Sequence, residues 1–136
     1  MHFKRIFSDL FGGGRAELTI GEGDILEAGI EISAEPPGKK LQQLSLLSGG
    51  ERALTAIALL FAMISINPSP LCLFDEIDAP LDEGNARLFA EYLRKIENTQ
   101  FLIVTHRKST MAMCDSLYGV AMEEKGVSKL VSVKLK

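Results

Sequence analysis

Cysteine is scarce: the 136-residue chain has two, Cys72 and Cys114. No C-x-x-C spacing occurs and both are flanked by apolar residues. The pattern argues against a disulfide or zinc framework and for a reduced cytosolic protein with buried thiols. An excess of positive charge is lacking too, with 15 Lys and Arg against 18 Asp and Glu and a net charge of -3. That excludes a broadly basic nucleic-acid coat, though not a local DNA contact. No apolar run reaches the roughly 18 residues of a membrane span. The start, Met1-His2-Phe3-Lys4-Arg5, lacks the long apolar core of a secretory signal. Internal repeats, low-complexity tracts and long linkers are missing. What remains is a globular composition, 46% hydrophobic and 24% charged, on a chain able to bury about two-thirds of its unfolded surface.

Two stretches follow one another. Phe3, Ile6, Phe7, Leu10 and Phe11 recur at helical spacing and predict a short amphipathic helix ending at Gly12-Gly13-Gly14. Residues 16–20 and 29–34 read as strands, and Pro36-Pro37-Gly38 breaks regular structure. Ser48 and Glu51 form a capping box ahead of a helix with Leu54, Ile57, Ala58, Phe61 and Ala62 on one face, stopped at Asn67-Pro68. Leu71-Cys72-Leu73-Phe74 reads as a strand covered on both faces. Residues 84–96 are helical, with Leu88, Phe89, Tyr92, Leu93 and Ile96 on one stripe. Residues 101–104 form a second buried strand, 108–114 a short helix, and 117–122 and 130–135 a hairpin turning near Gly126. The alternation predicts an α/β fold with a mostly parallel sheet flanked by helices and a small β-rich N-terminal part. Chemistry then sits beyond the carboxyl ends of the strands. The chain divides as one lobe, 1–136: a lead and turn at 1–40, a helix region at 41–70 and an α/β region at 71–136.

Four elements can carry chemistry. Asp75 and Glu76 follow the apolar run directly. Burying carboxylates beside a core strand is costly unless compensated. Mg²⁺ with nucleotide phosphates would compensate, Asp75 holding the ion and Glu76 polarising an attacking water. The pair also reads as two solvated acids at a strand end. Ser48-Gly49-Gly50-Glu51 opens a helix whose amides can approach an anion; it also reads as a plain N-cap. Thr105-His106 ends the other buried strand, where the histidine can reach a γ-phosphate or water, or be an ordinary strand-end residue. Ala79-Pro80-Leu81-Asp82 is a rigid turn in which Asp82 can simply cap the next helix.

In this order, Leu47-Ser48-Gly49-Gly50-Glu51, Leu71-Cys72-Leu73-Phe74-Asp75-Glu76, Ala79-Pro80-Leu81-Asp82 and Thr105-His106 resemble the signature motif, Walker B motif, D-loop and switch histidine of ATP-binding-cassette ATPases. The flanking residues 11–18, 36–40, 46–60, 105–108 and 118–120 narrow the match. They resemble the carboxy-terminal head lobe of bacterial SMC (structural maintenance of chromosomes) proteins, over about residues 7–135.

The resemblance implies the carboxy-terminal half of an ABC-type P-loop ATPase head acting in chromosome condensation and segregation. Asp75 would hold Mg²⁺, Glu76 would position or activate the hydrolytic water, and His106 would contact the γ-phosphate region. Ser48, Gly49, Gly50 and Glu51 would reach ATP bound by a second head, with Asp82 at that interface. The implied partners are the amino-terminal head lobe, a second SMC head, a kleisin subunit and DNA, in the cytoplasm at the nucleoid, with no membrane. No G-x-x-x-x-G-K-[ST] phosphate loop is present and no heptad stretch long enough for a coiled-coil arm. The lone chain is therefore expected to be inactive. Two alternatives stand beside this: the head lobe of a related double-strand-break repair ATPase, against which residues 12–18 and 105–108 speak, and a non-catalytic interaction module of the same fold, against which the intact Glu76 speaks. Arg52, Arg107 and Lys108 are each readable as nucleotide or DNA contacts or as solvated helix residues. Lys125, Lys129, Lys134 and Lys136 read as a weak DNA-facing patch or a protective solvated edge.

Overall fold

The computed structural model describes residues 2–24 and 26–135; Met1 and Lys136, both named above, lie outside the described residues. Helix α1 (His2–Phe11) carries its five apolar residues on one side, all buried, with Phe7 stacked on Phe11 at 4.2 Å. It stops at three glycines with positive φ, and Gly13 N–H donates to Ser8 C=O at 2.8 Å. A Cβ on Gly14 would fall 2.2 Å from the Glu35 carbonyl oxygen, so only glycine lets the chain enter the next strand here.

Strand β1 (Arg15–Ile20) pairs antiparallel with β2 (Ile30–Glu35), which also pairs with a two-residue β3 (Gln42–Gln43). Ala16 and Ala34 face each other across the first pair and are fully buried. Helix α2 (Gly49–Ile66) starts at the expected capping box and buries Leu54, Thr55, Ile57, Ala58, Phe61 and Ala62. By length and composition alone α2 is apolar enough to cross a membrane, although no unbroken apolar run of that length exists. Its buried stripe instead forms the centre of the core, with α1 on one side.

A β-α-β unit follows: β4 (Leu71–Asp75), α3 (Glu83–Leu93) and β5 (Gln100–Val104). The strands pair in parallel, with Phe74 opposite Ile103 and Asp75 opposite Val104. Phe61 of α2 is the hub that joins this unit to the helices. It stacks on Phe89 at 6.0 Å and Tyr92 at 5.2 Å, and tilts against Phe74 at 6.1 Å. The chain ends in α4 (Lys108–Ala112) and a hairpin of β6 (Ser116–Glu124) and β7 (Val127–Lys134), turning at Lys125-Gly126 as expected.

Two expectations need correction. The sheet is not mostly parallel: the described residues form three separate sheets, and among them only β4–β5 is parallel. A parallel pair needs a crossover, which α3 supplies between β4 and β5; β6 and β7 are joined by a short turn. Nor is 71–74 covered on both faces. Cys72 and Phe74 turn inward, but Leu71 and Leu73 are 55% and 65% exposed, as are Leu102 and Val104 beside them at 55% and 47%. The hairpin goes further: of β6 and β7 only Leu117 is half-buried and every other residue is exposed. The lysines of β7 therefore do not oppose a buried apolar face. Cys72 and Cys114 are half-buried and not joined by a disulfide.

Candidate functional site

The parallel register brings the ends of β4 and β5 to one edge. Asp75 is the last residue of β4. Glu76 follows with φ of 48°, in the left-handed region that a side-chain-bearing residue adopts at a cost. Its backbone is held there by Glu76 N–H donating to Val104 C=O at 2.9 Å, one more rung beyond the last strand pair. The turn sends the Glu76 side chain toward the loop after β5, where its Oε1 lies 3.1 Å from His106 Nε2. Both side chains are open to solvent, at 53% and 85% exposure. The sequence placed the two at one strand edge without predicting contact. Of the two readings the sequence left for Asp75 and Glu76, buried with compensation or solvated at the strand end, the structure has both exposed, so no buried charge there requires compensation.

A shallow cleft of about 240 Å³ lies at this edge, lined by Glu76, Asp78, Ala79, His106 and Arg107. Its floor holds a residue the sequence did not single out. Asp78 is 1% exposed. Its Oδ2 accepts from Thr105 Oγ1 at 2.6 Å and from Thr110 Oγ1 at 2.5 Å. Arg107 lies over it, donating through Nε to the Asp78 carbonyl at 2.8 Å and through its terminal nitrogen to the Ala79 carbonyl at 2.9 Å. A single aspartate in a short loop has no periodicity to mark it. The usable signal was the pair of threonines flanking the histidine loop, each an obligate hydroxyl seeking an acceptor.

The second group is built at the start of α2. Ser48 caps the helix by accepting from Glu51 N–H at 3.4 Å. Glu51 Oε2 in turn accepts from Ser48 N–H at 3.1 Å, Ser48 Oγ at 2.8 Å and Lys39 Nζ at 2.8 Å. Burial pushes the Glu51 carboxyl up, but the Lys39 and Ser48 donors outweigh it and hold the group below the ordinary carboxylate value. Asp82 caps α3, accepting from Asn85 N–H at 2.8 Å and Asn85 Nδ2 at 2.9 Å. The two caps meet at Gly50, where a Cβ would lie 2.7 Å from Asp82 Oδ2 and 2.9 Å from Asn85 Nδ2. Gly49 faces open space. The glycines thus have different tasks: Gly50 admits the α3 cap, and Gly49 leaves the outer side of the helix start clear. Gly50→Ala should displace the Asp82 cap and cost about 1 kcal/mol of stability. Gly49→Ala should be neutral or stabilising, since alanine is the better helix former. Urea unfolding of both variants decides it; equal midpoints would refute the distinction.

Among the described residues no side chain of one group bonds to the other, and no cluster of three or more His, Cys, Asp or Glu is placed to hold a metal ion. Asp75 has no side-chain partner among them, and its exposed carboxylate is chemically suited to donate to a hard cation such as Mg²⁺.

The sequence model of the family described as "RecF/RecN/SMC N terminal domain" matches residues 17–129. The chain is similar to the chromosome partition protein Smc of Bacillus subtilis, 60% identical over 98% of this chain and 12% of the relative. It thus spans about an eighth of the length of that relative. Solved structures agree. One chain, from work on ATP-driven dimerisation and DNA-stimulated activation of SMC ATPases, superposes with a TM-score of 0.88 at 41% identity, covering 98% of this chain and 82% of that one. An Smc head bound to the C-winged helix domain of ScpA superposes at 0.85 with 42% identity, covering 99% and 42%. A chain matched over most of its length by the family's sequence model, and over almost all of it by an Smc relative and by solved SMC heads, belongs to the RecF/RecN/SMC family and has the α/β fold of the SMC ATPase head.

Proposed function

We propose that residues 1–136 form the carboxy-terminal lobe of an SMC-type ATPase head, contributing half of each ATP site in a chromosome-partition machine. The matching family's description refers to an N-terminal domain; the lobe assignment rests instead on motif content. The chain has the residues read as signature motif, Walker B, D-loop and switch histidine, and no phosphate loop. The observation that carries the reading is the Glu76–His106 contact, 3.1 Å long at the carboxyl edge of the parallel pair, in a sequence without a G-x-x-x-x-G-K-[ST] phosphate loop. The open face formed by Leu71, Leu73, Leu102 and Val104 supports it, because an apolar strand face of this kind is what a second lobe would cover.

In this arrangement Glu76 accepts a proton from the attacking water, and His106 holds the Glu76 carboxylate and reaches the γ-phosphate. Asp75 would hold Mg²⁺, and the ion would neutralise developing phosphate charge. Ser48, Gly49 and Gly50 present the free amides of the α2 start to ATP carried by a second head, with Glu51 fixing the Ser48 cap and Asp82 completing that surface. Loss of the γ-phosphate then releases the two heads. The further partners are a kleisin subunit, as in the ScpA-bound head, and DNA, in a bacterial cytoplasm at the nucleoid.

The experiment is ATP hydrolysis by this chain alone and by this chain mixed with an amino-terminal head lobe that carries the phosphate loop. Turnover is expected only in the mixture. Turnover by the chain alone would place a phosphate site within it and overturn the split-site reading. Silence in a mixture that associates and binds ATP would favour the non-catalytic module.

A further inference from the structure

The geometry points to Asp78 as a positioning residue for hydrolysis: a buried carboxylate that ties the Glu76 loop to the His106 loop and so sets the distance between them. The inference deepens the hydrolytic reading of Glu76 and His106 and rests on it. Neither of those side chains is held by packing, since both are largely exposed and they contact each other at 3.1 Å. Their relative position must come from their backbones. Glu76 and Asp78 share one tight turn, in which Ala79 N–H donates to Glu76 C=O at 3.0 Å and Leu81 N–H to Asp78 C=O at 3.1 Å. His106 sits between two residues that Asp78 holds. Thr105 Oγ1 donates to the Asp78 carboxylate at 2.6 Å, and Arg107 Nε donates to the Asp78 carbonyl at 2.8 Å. Thr105 Oγ1 also accepts from Arg107 N–H at 3.0 Å, which closes the loop around the histidine. Thr110 fixes the far side of the same carboxylate oxygen to the first turns of α4.

A carboxylate that is 1% exposed and shared by two hydroxyls is costly to place unless its bonds are made. The clamp is therefore all or none, and releasing one hydroxyl loosens the histidine loop without touching nucleotide. Charge alone does not explain Asp78, because the groups facing its carboxylate from the β5 loop and α4 are neutral hydroxyls, and the Arg107 guanidinium goes to backbone carbonyls.

The test uses the head assembled from this chain and an amino-terminal head lobe, with steady-state ATP hydrolysis and ATP-dependent dimerisation measured side by side. Thr105→Val keeps the shape and removes the hydroxyl. It should lower kcat by roughly 100-fold, the loss that a displacement of about 1 Å produces, while KM for ATP and dimerisation stay parental. Thr105→Ser restores the hydroxyl and should restore kcat. Parental kcat in Thr105→Val, or an equal loss in Thr105→Ser, would overturn the positioning role. So would a change in KM with kcat intact. Should Thr105→Val fail to assemble, Arg107→Ala carries the same test from the more exposed side of the clamp, with the same kcat loss expected and parental kcat overturning the role. Glu76→Gln run in parallel separates the two levels. If it leaves turnover intact, the hydrolytic reading falls and the positioning role with it. If it abolishes turnover while Thr105→Val is parental, only the positioning role falls.

Discussion

Replacing Glu76 by glutamine should reduce ATP turnover of the assembled head by about 10² to 10⁴-fold, the usual contribution of a positioned general base, while leaving ATP-dependent dimerisation in place. Glutamine has the same shape and keeps an oxygen able to meet His106 Nε2, but it cannot accept a proton. The fold has little reason to respond. Glu76 is held by its backbone, through the bond to Val104 and a φ of 48°, and its side chain is more than half exposed. Substitutions at such positions change stability by no more than about 0.5 kcal/mol. The variant should therefore melt with the parent, bind ATP and accumulate as an engaged dimer. Single-turnover hydrolysis and size-exclusion chromatography with ATP check the two halves of this expectation. A variant that neither turns over nor dimerises would mean that Glu76 acts in engagement, and a parental rate would remove it from the chemistry.

The largest expected effect on stability is at Phe61. Phe61→Ala should cost about 3 to 5 kcal/mol, the range for truncating a buried phenylalanine. Phe61 is 2% exposed and contacts three aromatic rings from β4 and α3. The loss joins an emptied volume to broken ring contacts worth about 0.5 to 1.5 kcal/mol per pair. Phe61→Leu fills part of the space and should recover part of the loss. Since a domain of this kind has a total stability of about 5 to 15 kcal/mol, Phe61→Ala leaves a small margin. Guanidinium unfolding followed by far-ultraviolet circular dichroism measures it. A midpoint equal to that of the parent would mean that α2 does not join the β-α-β unit to the helices.

Features governed by neighbours in the chain were legible in the sequence. The capping box at Ser48 and Glu51, the buried stripe of α1 and the hairpin turn at Gly126 all appear as read, because each depends on residues within one or two turns of each other. The motif order also placed Asp75, Glu76 and His106 at one sheet edge. What the sequence hid is non-local. Gly50 is small for the sake of Asp82, 32 positions on, and nothing near either residue says so. Asp78 matters through Thr105 and Thr110, across the whole of α3. The apolar run 71–74 looked like a strand covered on both faces because composition records what a strand can bury, not what this chain supplies to bury it. The parallel sheet was over-predicted for the same reason: alternation of helix and strand allows parallel pairing only where a crossover returns the chain to the same side.

The hairpin of β6 and β7 has a consequence for how the chain unfolds. With every residue but Leu117 exposed, the ladder gains almost nothing from the aromatic core, and a two-stranded ribbon alone is marginal in water. Its amides should exchange with deuterium through local opening at a free-energy cost well below that of α2 or β4. The isolated chain should thus unfold as two cooperative units sharing one backbone. A strand signal lost early in denaturant reports the ribbon, and the helical signal lost later reports the core.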